Sequence, residues 1–120
     1  MAIKLFDSEL KVMDVLWKEG DKTAKQISDI LKEEIGWNMN TTYTVIKRLC
    51  DKGCLKNEAA VVTSLVDRAT VQQADGQEVL QRSFHGSLPS FLAAFLRAGS
   101  VSDQEAAEIE QMLEEYRQSH

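Results

Sequence analysis

The chain has 120 residues, of which 43% are hydrophobic and 28% charged, with a formal net charge of −5. This balance indicates one globular domain or two very small ones and excludes a disordered chain. The sequence lacks the ~20-residue apolar run that spans a bilayer, a secretory signal, and the cysteine framework of a small secreted protein. We therefore expect a cytoplasmic protein without membrane insertion.

Charge is distributed unevenly along the chain. Residues 1–56 contain ten Lys or Arg against nine Asp or Glu, whereas residues 57–120 contain four against ten. This asymmetry suggests two regions with different tasks, one facing an anion and the other acidic.

Two short helices are predicted before residue 37. Asp7 is the expected N-cap of the first helix, with Glu9 beside the positive end of its dipole, and Gly20 ends it. Thr23 is the expected N-cap of the second helix, which ends at Gly36. The inward faces repeat at helical spacing and comprise Leu10, Met13, Leu16 and Trp17 in the first helix and Ile27, Ile30 and Leu31 in the second.

A third helix and a hairpin follow. Asn40 or Thr41 is the expected N-cap of this helix, and its inward face is Thr42, Val45, Ile46 and Leu49. Segments 54–56 and 60–63 then predict two short strands, with a turn near Asn57 and Glu58. Asn-Glu is not a favoured hairpin dipeptide, so the turn type stays open. Helix, helix, helix, hairpin is the order of a winged helix-turn-helix.

The rest of the chain is predicted to form three helices. The first runs from Asp67 to about Phe84, and Gly76 is expected to kink or break it, because glycine costs about 1 kcal/mol inside a helix. Ser87 and Ser102 are the expected N-caps of the other two. Their apolar stripes are Leu88, Phe91, Leu92, Phe95 and Leu96, then Ile109, Met112, Leu113 and Tyr116.

We predict a mainly α protein with a winged helix-turn-helix domain at residues 1–66 and a helical dimerisation domain at residues 67–120. A helical unit of about 50 residues buries too little surface to be firmly stable alone. A second copy packing across a two-fold axis would cover the apolar helices. The alternative is that these helices fold back on the first domain as one monomeric core.

The outward face of the third helix carries the functional hypothesis. At 100° per residue, Asn40, Thr44 and Lys47 lie opposite the apolar stripe, flanked by Thr41, Tyr43 and Arg48. Such a polar helix suits the major groove of DNA, where Asn pairs with adenine, Thr meets base edges, and cations reach phosphates. Lys56 on the hairpin, and Lys22 and Lys25 at the start of the second helix, could add contacts to the DNA backbone. The alternative is an ordinary solvated helix face.

Three strings carry a family resemblance: TAKQISDIL, GWNMNTTYTVIKRLCDKG and FHGSLPSFLAAFL. In this order they resemble the penicillinase and methicillin-resistance repressors, the BlaI/MecI family of bacterial winged-helix regulators. The resemblance implies a homodimer that binds a double-stranded operator palindrome and represses transcription. It also implies that the recognition helix spans Asn40 to Lys52.

The sequence departs from the family pattern at several positions. Asn40 replaces a lysine that is frequent in the family, and Glu58 gives the hairpin a charge of the wrong sign for DNA. In the antibiotic-sensing branch, a sensor protease cuts an Asn-Phe bond, and the resemblance implies that the matching bond here is Ala94–Phe95. No cysteine follows Cys54, which argues against the copper sensing of another branch.

Other chemistry is not indicated. Cys50 and Cys54 have no further ligands at zinc spacing, and His85 stands beside no nucleophile signature. We therefore predict no enzyme activity, no cofactor and no metal. Two hypotheses remain, a dimeric operator-binding repressor and a winged-helix protein–protein adaptor that does not bind DNA.

Overall fold

The computed structural model describes residues 4–120, which form two compact units that divide between Gly76 and Gln77. The first unit contains α1 (Asp7–Glu19), β1 (Lys22–Thr23), α2 (Ala24–Ile35), α3 (Met39–Asp51), β2 (Leu55–Glu58) and β3 (Val61–Ser64). Helix α4 (Arg68–Phe84) begins in the first unit, and the second unit contains α5 (Leu88–Arg97) and α6 (Asp103–Ser119). The predicted fold class, a winged helix-turn-helix followed by three helices, is confirmed. The functional boundary between residues 66 and 67 stays a prediction.

The first helix begins differently from the prediction. Phe6, not Asp7, occupies the N-cap position of α1, and its backbone N–H donates to Glu9 Oε1 at 2.8 Å. The prediction for Asp7 was wrong because the Glu9 side chain turns back to the chain entering the helix. The prediction for α2 is confirmed, since the Thr23 hydroxyl accepts from the N–H of Gln26 and the Gln26 side chain returns the bond.

Helix α3 begins earlier than predicted. Asn38 is its N-cap, and Asn38 Oδ1 accepts from the N–H of Thr41 at 2.8 Å. Asn40 and Thr41 therefore lie inside the first turn, and the prediction that one of them caps the helix was wrong. The helix therefore begins two or three residues earlier than expected, on the side where its polar face begins.

The three strands form one antiparallel sheet in the order β1-β3-β2. Strand β1, which is two residues long, was not predicted from the sequence. Glu58 pairs with Val61, so the hairpin loop consists of Ala59 and Ala60 alone, with φ angles of 51° and 66°. Positive φ at both loop positions is typical of a type I′ turn. The predicted turn at Asn57 and Glu58 was wrong, because both residues belong to β2.

The core of the first unit gathers the predicted inward faces of α1, α2 and α3. All of its fully buried apolar side chains lie at or before Val71 of α4. Trp17 packs at the edge of this core and donates its indole N–H to the Val66 carbonyl at 2.9 Å. The buried apolar residues are Leu5, Val12, Met13, Val15, Leu16, Ile27, Leu31, Val45, Ile46, Leu49, Cys54, Leu55, Val62 and Val71.

The second unit has helices with well-formed ends but little interior. Ser87 and Ser102 cap α5 and α6 as predicted. Helix α4 continues through Gly76, so the expected break does not occur. None of residues 77–120, all of which the structure describes, is buried. Within residues 4–120, no helix has the length and apolarity needed to cross a membrane.

Candidate nucleic-acid interface

Helix α3 has one buried and one exposed face. Thr42, Val45, Ile46 and Leu49 are buried, as predicted. The six side chains predicted for the opposite side are all exposed, and they are Asn40, Thr41, Tyr43, Thr44, Lys47 and Arg48. The structure therefore brings these six together on one accessible surface, which we call the α3 face.

Polar groups on the α3 face make only a few weak contacts within the protein. The Thr44 hydroxyl donates to the Asn40 carbonyl at 2.8 Å, and its oxygen can still accept a hydrogen bond from another molecule because the side chain is exposed. Lys47 Nζ lies 3.6 Å from Asp51 Oδ2 in an exposed pair. Arg48 Nη2 donates to Ser8 Oγ at 3.4 Å. The exposed ion pair of Lys47 contributes about 0–1 kcal/mol, and Arg48 has only a long hydrogen bond to a neutral hydroxyl, so both cations can turn to a phosphate.

The hairpin does not bring Lys56 to the α3 face. Side chains alternate along β2, so Leu55, which is buried, and Asn57, which is exposed, lie on one side of the strand. Lys56 and Glu58 lie on the other side. Lys56 Nζ lies 3.7 Å from Glu58 Oε2. The hairpin residues beside α3 are Asn57 and Ala60. Asn57 was not predicted as a site residue, although strand alternation indicates its side.

Two depressions flank the α3 face. The first, of about 530 Å³, lies between α3, the start of α2 and the hairpin, and it brings Lys25 close to Lys47. Its lining residues are Thr23, Ala24, Lys25, Tyr43, Ile46, Lys47, Cys50, Asn57 and Ala60. The second, of about 300 Å³, is lined by Asn38, Asn40, Thr41, Thr44, Val45 and Arg48. Both Lys22 and Lys25 were expected to contact the DNA backbone. Lys25 borders the α3 face, whereas Lys22 is half-buried and pairs with Glu19 at 3.9 Å.

Lys52, the C-cap residue of α3, pairs with a buried carboxylate of α1. Its ammonium lies 2.6 Å from Oε1 of Glu9, a carboxylate with no exposed surface. Burial raises the pKa of Glu9, but this effect is outweighed by the hydrogen bonds from Lys52 and the Phe6 N–H and by the charges of Lys52 and Arg48. The net pKa of Glu9 is therefore lowered from 4.5, so its carboxylate is ionised at neutral pH.

The cysteines have the character of packed side chains. Burial raises the pKa of the Cys50 thiol, with the Asp51 charge adding to it, and burial also raises the pKa of Cys54. Neither thiol is therefore activated as a nucleophile. In the part of the chain that the structure describes, no group of three or more His, Cys, Asp or Glu could hold a metal ion.

Comparison with known proteins decides the family. The sequence pattern of the penicillinase repressor family matches residues 5–115. The chain belongs to the penicillinase repressor family. Members of this family are DNA-binding transcriptional repressors, not enzymes, and the resemblance found in the sequence is confirmed.

Relatives of this family align along nearly the whole chain. The penicillinase repressor of Bacillus licheniformis is 29% identical over 118 residues, covering 95% of this chain and 92% of the relative. The methicillin resistance regulatory protein MecI of Staphylococcus aureus (strain N315) is 22% identical over 114 residues, covering 92% of this chain and 93% of the relative.

Two solved structures match the winged-helix part. The solution structure of the DNA-binding domain of the repressor BlaI matches with a TM-score of 0.50 and 28% identity, covering 58% of this chain and 90% of that one. The solution structure of monomeric B. licheniformis BlaI in complex with the blaP half-operator matches with a TM-score of 0.51, the same identity and the same coverage.

Proposed function

We propose that this penicillinase repressor family member is a dimeric repressor that reads a palindromic operator with α3 in the major groove. One observation carries the proposal: the six side chains of the α3 face are exposed on a helix whose opposite face is buried in the core. The similarity to a BlaI structure bound to a half-operator supports the same mode of binding.

The residue types of the α3 face suit a duplex. The Asn40 amide can pair with the N6 and N7 groups of adenine, and the methyl group of the exposed Thr44 can pack against the methyl group of thymine. Lys47 and Arg48 can reach phosphates, and Lys25 extends this positive rim across the first depression. Lys56 remains a proposed contact between the hairpin and DNA, although its ammonium pairs with Glu58 on the same side of β2.

The second unit supplies the reason for a dimer. Six of its large apolar side chains are exposed, from 44% for Phe95 to 67% for Met112, and Phe91, Leu92 and Ile109 are half-buried. Apolar surface of this kind marks an interaction site, and a second copy would cover it across a two-fold axis. The proposed dimer contacts are Leu88, Phe91, Leu92, Phe95, Leu96, Ile109, Met112, Leu113 and Tyr116. Residues 67–120 are accordingly proposed as the dimerisation domain and residues 1–66 as the DNA-binding domain.

Release from the operator would act on the second unit. Ala94 and Phe95 are both exposed within α5, in the segment that resembles the family's cleavage site. Since their peptide bond is helical, a sensor protease in the cytoplasm would need local unfolding of α5 before cutting. Such a cut would interrupt the proposed dimer contacts and lower the affinity for a two-fold operator.

The test starts from a duplex selected by the wild-type protein from a randomised pool. Fluorescence anisotropy should give saturable, strongly salt-dependent binding to a palindrome whose half-sites lie about one helical turn, or a multiple of it, apart. Thr44→Ala combined with Lys47→Ala should abolish the preference over a scrambled duplex while light scattering still reports the dimer mass.

A matched control completes the test. Lys11→Ala removes one positive charge from an exposed position on α1 and should leave the palindrome preference in place. If wild-type protein recovers no preferred sequence at low salt but forms a stable complex with another protein in pull-downs, the adaptor hypothesis replaces the proposal.

A further inference from the structure

Glu9 combines full burial with incomplete pairing. Its Oε1 accepts from Lys52 Nζ at 2.6 Å and from the Phe6 N–H at 2.8 Å. Its Oε2 is buried and has no hydrogen-bond partner among the described residues. Removing a carboxylate from water costs several kcal/mol unless a cation compensates it. The conformation around Glu9 therefore depends on keeping Lys52 in place.

Lys52 is held from three directions at the C-terminal end of α3. Besides Glu9, its ammonium donates to the Lys4 carbonyl at 3.2 Å and lies 4.6 Å from the centroid of the Phe6 ring. These contacts direct the ammonium toward the chain entering α1. Lys52 is consequently committed within the protein, unlike the cations of the α3 face.

Arg48 lies one helical turn before Lys52 and meets the same end of α1. Its guanidinium donates to Ser8 Oγ at 3.4 Å, and its charge contributes to lowering the pKa of Glu9. The first turn of α1 therefore contacts Arg48 as well as Lys52. The 2.6 Å bond between Lys52 and the buried Glu9 carboxylate is the contact that fixes the C-terminal end of α3 against α1, and the exposed 3.4 Å bond from Arg48 adds little to it.

We propose that Glu9 is a positioning residue for operator reading. It fixes the C-terminal end of α3 against α1 and holds Lys52 away from the duplex, so that the α3 face meets the bases in one orientation. This inference rests on the proposed function. Without the Glu9 charge, α3 loses its anchor and Lys52 becomes free to contact phosphates, which carry no sequence information.

The test compares two carboxylate-to-amide substitutions in the full-length chain. Glu9→Gln removes the buried charge, and Glu33→Gln makes the same chemical change at an exposed position on α2. Loss of a negative charge alone should tighten binding to any DNA. We instead expect Glu9→Gln to bind the selected palindrome about five- to tenfold more weakly and a scrambled duplex at least as tightly. Glu33→Gln should retain the wild-type ratio of the two affinities.

Two substitutions at the partner position separate positioning from general stability. Lys52→Arg keeps a cation beside Glu9 and should retain most of the affinity ratio. Glu9→Gln combined with Lys52→Met removes both charges together, so neither charge is left without its partner. It should show the lowered affinity for the palindrome without the gain on scrambled DNA.

Amide hydrogen exchange in residues 50–53, measured without DNA, distinguishes the inference from the proposed function. Faster exchange there in Glu9→Gln, but not in Glu33→Gln, is expected. If wild-type protein prefers the palindrome but Glu9→Gln keeps both the affinity ratio and the exchange rates, the positioning role is overturned and the proposed function stands. If wild-type protein shows no preferred sequence, the proposed function fails and the role in operator reading fails with it.

Discussion

The hairpin loop stores conformational strain that a double substitution should relieve. Ala59 and Ala60 have φ angles of 51° and 66°, in the left-handed region where a Cβ atom is unfavourable. Each costs about 1 kcal/mol, and Asn-Gly is the pair that type I′ loops prefer. Replacing both alanines removes this cost, but glycine loses more backbone entropy on folding, which offsets about 0.5–1 kcal/mol of the stabilisation. Ala59→Asn with Ala60→Gly should therefore raise the free energy of unfolding by about 1 kcal/mol.

Urea denaturation followed by circular dichroism measures this gain, which corresponds to a rise in Tm of about 4 °C. The matched control is Ala69→Gly, which removes a Cβ atom from the exposed, helical start of α4 in the same compact unit. It should lower stability, by up to about 1 kcal/mol, because helical backbone disfavours glycine. An Asn-Gly loop that leaves stability unchanged or lower would refute the strain argument.

Three further predictions follow from single contacts. The folded-state pKa of Glu9 lies below 4.5, so its stabilising contribution is complete above about pH 4.5 and is lost as pH falls through the folded-state value. Urea midpoints should accordingly fall more steeply on acidification for wild-type protein than for Glu9→Gln, and parallel slopes would contradict this. Asp51→Asn removes only the exposed pair with Lys47, so stability should change by less than about 0.5 kcal/mol while the anisotropy Kd for DNA falls; a weaker complex would count against contact by Lys47. Leu96→Asp puts a charge on the exposed apolar surface of α5 and should convert the dimer mass in light scattering to the monomer mass; persistence of the dimer would exclude this surface from the interface.

Features encoded within a few residues were predictable from the sequence. The N-caps Thr23, Ser87 and Ser102 each bond an N–H three residues later, so one short window contains both partners. The division of α3 into a buried and an exposed face likewise follows from helical periodicity alone. These local rules produced the winged-helix fold class and the composition of the α3 face.

Features that depend on distant partners were not predictable in the same way. The bond between Lys52 and Glu9 joins residues 43 positions apart, and no periodicity links them. Strand β1 exists because Lys22 and Thr23 pair with Val62 and Val61 of β3. The turn at Ala59 and Ala60 lacks the glycine that normally marks positive φ, so strand register, not turn propensity, sets its place.

The predicted effect of Gly76 on α4 was too large. Gly76 was expected to interrupt α4, yet the helix is continuous from Arg68 to Phe84. A cost of about 1 kcal/mol for one glycine is small beside the cooperative backbone hydrogen bonding of 17 helical residues. The low helix propensity of glycine therefore identifies a position of lower stability in α4, but it does not end the helix there.

The most direct test of the account is a ¹H–¹⁵N NMR titration of the wild-type protein with the selected palindrome and, separately, with the scrambled duplex. We predict that the palindrome shifts the backbone amides of Asn40, Thr41, Thr44 and Lys47 most strongly, and that the scrambled duplex produces smaller, salt-sensitive shifts. Equal shifts with both duplexes, or shifts that spare α3 altogether, would contradict sequence reading by the α3 face.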